Sequence, residues 1–508
     1  MSSQYILAID QGTSGTKAVV FDSDGQVVAK ATQPLTSHFP RPGFVEQDPV
    51  EIYGNVLAAV RACLKEFEDT TSTDPGAIVT CGISNQRETF VLWDESGEPL
   101  CNAVVWQCKR SVDICARLKG TELEDEIKQR TGLIVDPYFS GTKLLWLCED
   151  DPKLAAAIRA GEAFFGTVDT WLLYKLTGGR SYLTDHTNAS RTLLFNIDQL
   201  EWDTHLLGEY GLARLRLPHA KPSSFEYGAT DFEGLLPQAI TISAMIGDSH
   251  AAAFGERCFS PGTAKATMGT GCSILLNTGA KRVISETGMV TTICWSTEDR
   301  VDYALEGIIV TCGATINWLR DNMGLFAESS ETEQMTLSVE DNAGVYLVPA
   351  FSGLGAPYWK MDCRAAIMGL TLGSDKNHVV RAALESIPYQ IKDVIVAMES
   401  ESGIRLRQLK VDGGITANKF VMRFLASLVE TEVVNIGIPD VSALGAACLA
   451  GLEAGLFQDI DHLKRLATNE LTYSTGPDAQ AVQASYREWQ QVVQQLTMRP
   501  PPVTGARQ

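Results

Sequence analysis

Three stretches far apart in the chain run from an apolar, strand-like segment into an aspartate beside glycine: Leu7-Ala8-Ile9-Asp10-Gln11-Gly12-Thr13, Ala244-Met245-Ile246-Gly247-Asp248-Ser249 and Leu409-Lys410-Val411-Asp412-Gly413-Gly414. In open α/β sheets ligands collect outside the strand ends, so three such ends can face one cleft, although any one alone reads as an ordinary turn. The first continues through Ser14, Gly15, Thr16 and Lys17 into Ala18-Val19-Val20-Phe21, the pattern of a hairpin. A tip of glycine, threonine and serine offers backbone N–H groups and small hydroxyls to phosphate oxygens with no bulky side chain in the way. A second Gly/Thr turn, Ala266-Thr267-Met268-Gly269-Thr270-Gly271-Cys272-Ser273, has the same character. No Gly-x-x-x-x-Gly-Lys-Ser/Thr occurs, which excludes a P-loop.

Short apolar segments closed by turn residues alternate with longer segments of helical period, which predicts an α/β architecture. Phe164–Leu176 reads as a strand running into a helix with Asp169 or Thr170 at its start, a structural role. Apolar residues every three or four positions predict an amphipathic helix over Asn377–Met398, kinked at Pro388. Another helix is expected over Ala479–Met498, stopped by Arg499-Pro500-Pro501-Pro502, with a loose tail beyond.

The 508 residues are 45% hydrophobic and 20% charged, the proportions of a folded globular protein. At roughly 100–200 residues per domain, a length of this order allows several domains with a cleft between them. A formal net charge of −20 repels a phosphate backbone, so nucleic acid is not an expected partner; an anionic ligand must be held by local amides, a metal ion or single lysines. The twelve cysteines contain no Cys-x-x-Cys pair and read as reduced core thiols. The N-terminal stretch lacks a basic n-region, and the best candidate for a membrane span, Val441–Phe457, carries Glu453, so neither a signal peptide nor a membrane partner is expected. These features point to a cytoplasmic enzyme.

Longer motifs occur in order along nearly the whole chain: Gly43-Phe44-Val45-Glu46-Gln47-Asp48-Pro49, Asn85-Gln86-Arg87-Glu88-Thr89, Val104-Val105-Trp106-Gln107-Cys108, Asp136–Lys143, Gly166–Trp171, Thr187–Thr192 and Val348–Trp359. With the three aspartate ends they resemble the FGGY carbohydrate kinases, most of all their glycerol-kinase branch. The resemblance implies two actin-like, ribonuclease-H-like domains, 1–255 carrying the polyol site, phosphate hairpin and base, and 256–508 on the nucleotide side. It implies ATP and Mg²⁺ as cofactors and transfer of the γ-phosphoryl group to a hydroxyl of glycerol or a closely related polyol. By the same resemblance Asp248 is the general base and Asp10 the Mg²⁺ carboxylate. Thr13, Ser14, Gly15 and Lys17 face phosphate, and Thr270, Gly313, Asn317, Gly414 and Asn418 lie on the nucleotide side. Arg87, Glu88, Trp106 and Tyr138 grip the polyol, the first two as opposite charges that compensate each other. A homo-oligomer, dimer or tetramer, is implied as well.

Three departures from the branch bear on specificity. Lys17 stands where the relatives carry arginine and so lacks the planar fork. Ser249 and Ser273 stand where they carry glutamine and phenylalanine, which predicts a roomier, more polar pocket. Both serines are therefore counted among the substrate-binding residues, and a four- or five-carbon polyol or ketose is the alternative acceptor. Tyr227–Gly234 has neither the basic glycine-rich loop nor the histidine through which such kinases are regulated, so neither control is expected. An actin-like nucleotide-dependent clamp is the alternative of a different class; it has no need of the Arg87, Glu88, Trp106 and Tyr138 set.

Overall fold

The computed structural model describes residues 4–438 and 440–498. Its first large sheet comprises β1 (Tyr5–Gln11), β2 (Gly15–Phe21), β3 (Val27–Pro34), β4 (Ile78–Asn85), β5 (Ser224–Thr230) and β6 (Ile240–Gly247), in the order β5-β6-β4-β1-β2-β3. The strands β1, β2 and β3 form an antiparallel meander, whereas β4 runs parallel to both β1 and β6. Central strands β1 and β4 are buried on both faces, which is why β1 reads as the continuous apolar run Ile6-Leu7-Ala8-Ile9 rather than an alternating one.

A second sheet repeats the plan. It contains β7 (Thr263–Met268), β8 (Cys272–Gly279), β9 (Val290–Thr297), β10 (Arg300–Ile309), β11 (Gln408–Asp412), β12 (Glu432–Asn435) and β13 (Leu471–Tyr473), in the order β9-β10-β8-β7-β11-β12-β13. Here too a hairpin, β7–β8, lies beside a parallel neighbour, β11.

Helices cover these sheets. In chain order they include α1 (Pro49–Thr71), α2 (Ser140–Asp150), α3 (Val168–Leu176), α4 (Asp248–Gly255), α5 (Gly313–Asp321), α6 (Lys376–Ser402), α7 (Lys419–Val429), α8 (Val441–Glu453) and α9 (Ala479–Thr497). The predicted strand-to-helix passage near Phe164 is present, with Thr167 rather than Asp169 or Thr170 as N-cap of α3. The long helix α6 runs past both predicted ends and continues through Pro388, its start fixed by an Asp375–His378 capping box. The Arg499-Pro500-Pro501-Pro502 stop and the tail lie outside the described residues.

The apolar segment α8 is a core helix. It packs on α4, β4, β1 and β6 of the first sheet although it lies late in the chain. Close approach explains its Ala/Gly composition: a Cβ on Gly445 would sit 1.9 Å from the Ala251 carbonyl oxygen, and one on Gly82 of β4 would sit 2.3 Å from that of Ala446. The resulting core joins Ile6, Ala8 and Phe254 to Leu275, Trp295 and Ala304, so it crosses from one sheet to the other. No helix among the described residues is long and apolar enough to cross a membrane.

Candidate active site

Two of the three aspartate ends lie in the first sheet. Asp10 pairs in register with Ser84 of β4, and Gly247, just before Asp248, pairs with Asn85 one residue on, so both acids emerge at the same end of the two strands that flank β4. The third, Asp412, ends β11 in the second sheet. Asp248 opens α4 without capping it: Gly247 is the N-cap, and the Asp248 carboxylate accepts from the adjacent Ser249 amide at 2.6 Å. Its side chain is 39% exposed and faces the Arg87 guanidinium, with Nε at 3.3 Å.

Arg87 and Glu88 favour each other's charged form, yet neither takes the other as its ion-pair partner. Each is neutralised by a residue distant in sequence: Arg87 places both terminal nitrogens on Glu306 of β10, at 2.8 and 3.2 Å, while Glu88 takes Arg191 at 2.6 Å. Arg191 also reaches Glu306 at 2.7 Å. Burial pushes the Glu306 carboxyl up, and the Arg191 and Arg87 guanidiniums more than reverse this, holding it well below the usual range. Glu88 has a left-handed backbone, φ 60°, in a position where its carbonyl accepts from Ser140 of α2 at 2.7 Å. Such a conformation costs on the order of 1–3 kcal/mol, which the surrounding contacts must offset.

Trp106 and Tyr138 stand edge to face, ring centroids 5.3 Å apart. The Trp106 indole donates to Thr13 Oγ1 at 2.8 Å, tying this wall to the tip of the first hairpin. Behind the wall, fully buried Lys143 donates to the carbonyls of Val105, Trp106 and Tyr138 at 3.2, 3.1 and 2.8 Å. Burial lowers its ammonium from 10.5 to about 7.

At the first hairpin, Gly12 N donates to the Gly15 carbonyl at 2.9 Å, closing the tip, and Ser14 is exposed. Lys17 points back rather than outward, to Asp10 at 3.7 Å and to Asp440 at 3.0 Å. Asp10 accepts from Ser84 at 3.2 Å, and burial, opposed by Lys17 and reinforced by Asp248, raises its carboxyl to about 6. A largely enclosed carboxylate, with Lys17 at 3.7 Å as a partial counter-charge, would suit a divalent cation, which favours hard oxygen ligands.

On the other side, the tip of the second hairpin is joined to the start of α5: Thr270 O accepts from Cys312 N at 2.9 Å and from Ala314 N at 3.1 Å, and Gly269 O accepts from Gly313 N at 2.9 Å. The Gly313 amide is therefore spent within the fold, while Asn317, one turn on, is exposed. Gly413, with φ +91°, lets the end of β11 pass beside Met268, where a Cβ would sit 2.4 Å from its carbonyl oxygen, and Gly414 after it is exposed with open space where a side chain would stand. Asn418 caps α7, accepting from Val421 N at 3.1 Å, and donates to Thr332 at 3.3 Å.

Ser249 and Ser273 meet, 3.4 Å apart, in a chain of polar contacts: Lys265 donates to Ser249 at 2.7 Å, and Ser273 donates to Glu306 at 3.0 Å.

Residues 5–255 match the N-terminal domain of the FGGY family of carbohydrate kinases, and residues 264–454 match its C-terminal domain. The chain belongs to this family. It is 46% identical over 497 residues to a glycerol kinase of Carboxydothermus hydrogenoformans, with 97% of this chain and 98% of that one covered. A glycerol kinase of Shewanella oneidensis is 46% identical over 494 residues, covering 97% and 99%. The crystal structure of Plasmodium falciparum glycerol kinase with ADP superposes with TM-score 0.92 at 35% identity, covering 98% of this chain and 99% of that chain. The two-domain, actin-like α/β fold and the activity of an ATP-dependent carbohydrate kinase follow for this FGGY protein.

Sequence reasoning missed Glu306, Lys265 and the placement of Arg191 and Lys143. Glu306 had a signal, a lone acid within the apolar strand Tyr303-Ala304-Leu305-Glu306-Gly307-Ile308. A charge there must be paired or it could not be buried.

Proposed function

We propose that this FGGY kinase transfers the γ-phosphoryl group of ATP to a primary hydroxyl of glycerol, forming glycerol 3-phosphate and ADP. The observation that carries the reading is the Asp248–Arg87 pair: a solvent-reachable carboxylate beside a buried guanidinium, walled by Trp106 and Tyr138. A carboxylate is far too weak a base to deprotonate an alcohol before attack. Asp248 orients the attacking hydroxyl and takes its proton as the oxygen–phosphorus bond forms and the bond to ADP breaks. Arg87 and Glu88 supply donors and acceptors to the remaining hydroxyls, the Trp106 face covers carbon, and the Tyr138 phenol reaches an oxygen.

On the nucleotide side, Thr13, Ser14 and Gly15 offer a hydroxyl and amide tip to phosphate, with Lys17 adding charge near it. Thr270, Gly313, Asn317, Gly414 and Asn418 border the nucleotide. Asp10 would hold Mg²⁺, which when bound neutralises charge on the phosphates. Self-association as a dimer or tetramer and a cytoplasmic setting complete this reading by resemblance to the family.

The test is ADP formation across glycerol, tetritols, pentitols and ketopentoses. Glycerol is expected to be the best acceptor, a reading supported by the 46% identity to glycerol kinases over 97% of the chain. Preferred turnover of a four- or five-carbon acceptor would overturn the glycerol assignment. Rapid ATP hydrolysis indifferent to any polyol would favour the clamp.

A further inference from the structure

Glu306 has a position that its strand alone does not explain. It lies on β10, in the second sheet, yet the guanidiniums it receives belong to the first half of the chain. Arg87 donates to both of its carboxylate oxygens, at 2.8 and 3.2 Å, in the planar fork geometry that fixes a guanidinium in orientation as well as in place. Arg191 approaches Oε2 at 2.7 Å, and Ser273 donates to Oε1 at 3.0 Å. The Glu306 side chain is wholly buried and that of Arg87 is 6% exposed. Because both terminal nitrogens of Arg87 are held on Glu306, its Nε edge is the one turned to Asp248.

We propose that Glu306 is a positioning residue for the acceptor: by clamping Arg87 from the opposite sheet it aims that guanidinium at the polyol and at Asp248. The inference rests on the proposed reading of Arg87 as part of the polyol grip. A second tie crosses the same boundary, from Lys265 of β7 to Ser249 beside Asp248 at 2.7 Å, and Ser249 meets Ser273 at 3.4 Å. The grip and the base are thus both braced by the second sheet, so the acceptor site is complete only when the two sheets hold this relation. A pocket built wholly on the first sheet would bind polyol independently of that relation.

The experiment compares wild type with Glu306→Gln, Glu306→Asp and Ser273→Ala as full-length enzymes. It measures KM for polyol and for ATP, kcat, and polyol affinity by calorimetry without ATP. Glu306→Gln keeps the volume but loses the charge, and should raise polyol KM and Kd roughly tenfold or more while ATP KM stays within about twofold. Glu306→Asp should recover part of that loss. Ser273→Ala leaves the ion pairs in place and should raise polyol KM about two- to fivefold, which keeps the claim testable if the Glu306 variants do not fold. Unchanged polyol KM and Kd in the folded Glu306 variants would overturn the proposal. So would equal losses for polyol and ATP, or an inert Ser273→Ala where the Glu306 variants fail to fold. A wild type that binds polyol without phosphorylating it would contradict the proposed function alone, since the Kd comparison still reads the positioning claim. A wild type that neither binds nor phosphorylates any polyol would overturn both.

Discussion

The hairpins β1–β2 and β7–β8 occupy equivalent places, each antiparallel within its own pair and each beside a parallel strand, β4 or β11. Their equipment differs. The first carries Asp10 and Lys17 directly opposite each other in register, whereas Met268 and Cys272 close the second around an uncharged Gly-Thr-Gly tip. The charges of the second sheet lie deeper, at Lys265 and Glu306, where they reach Ser249, Arg87 and Arg191 of the other half. On the proposed reading one repeated scaffold supports two tasks, with the charged tip at phosphate and cation and the neutral tip at the nucleotide. Lys265 and Glu306 of the second sheet brace the first half of the chain.

The strongest way to break this division is to unbalance the buried charges. Arg191→Leu strands Glu88 and Glu306 without one guanidinium, and loss of one partner from such a cluster costs about 3–5 kcal/mol. A large fall in the urea midpoint is expected, against little change if the cluster were a surface feature. Next comes the helix that seats the second half of the chain on the first sheet. Gly445→Ala puts a methyl group 1.9 Å from the Ala251 carbonyl, and overpacking of this kind costs roughly 1–3 kcal/mol, readable as a lower Tm.

Much of this was legible in the chain. The Asp10 and Asp248 strand ends, the Gly/Thr tips and the α6 and α9 helices follow from local composition and periodicity, because turns and helix faces are decided by neighbours in sequence. The partners of the charges were not. Arg87 meets Glu306 across 219 positions, and Lys17 meets Asp440 across 423, so adjacency suggested an Arg87–Glu88 pair and gave no sign of a carboxylate partner at Asp440 for Lys17. The same gap hid what α8 packs on: Glu453 already set its run apart from a membrane span, but nothing nearby in the chain pointed to Ala251 and β4 as its neighbours.

Lys143 sharpens the comparison on the first-domain side. Its ammonium is lowered from 10.5 to about 7, so between those values the folded state binds fewer protons than the unfolded state and stability rises with pH. The contribution is fully present above about 10.5 and is lost as pH falls towards 7. Stability of wild type minus Lys143→Met should therefore grow across that window in urea titrations; a flat difference would contradict it. The smallest effects should separate the two tips. Thr13→Ala removes the acceptor of the Trp106 indole and should raise polyol KM about two- to fivefold, whereas Thr270→Ala should raise ATP KM by a similar factor and leave polyol KM alone. Reversed or shared effects would erase the distinction between the hairpins.

The central claim is tested most directly by following phosphorus from ATP into product with wild type and Asp248→Asn under saturating glycerol. Wild type should give one glycerol 3-phosphate per ADP, and the variant should bind ATP as before while transfer falls by about 10²–10⁴-fold. Transfer in Asp248→Asn at the wild-type rate, or ADP released by wild type without phosphorylated glycerol, would contradict the account.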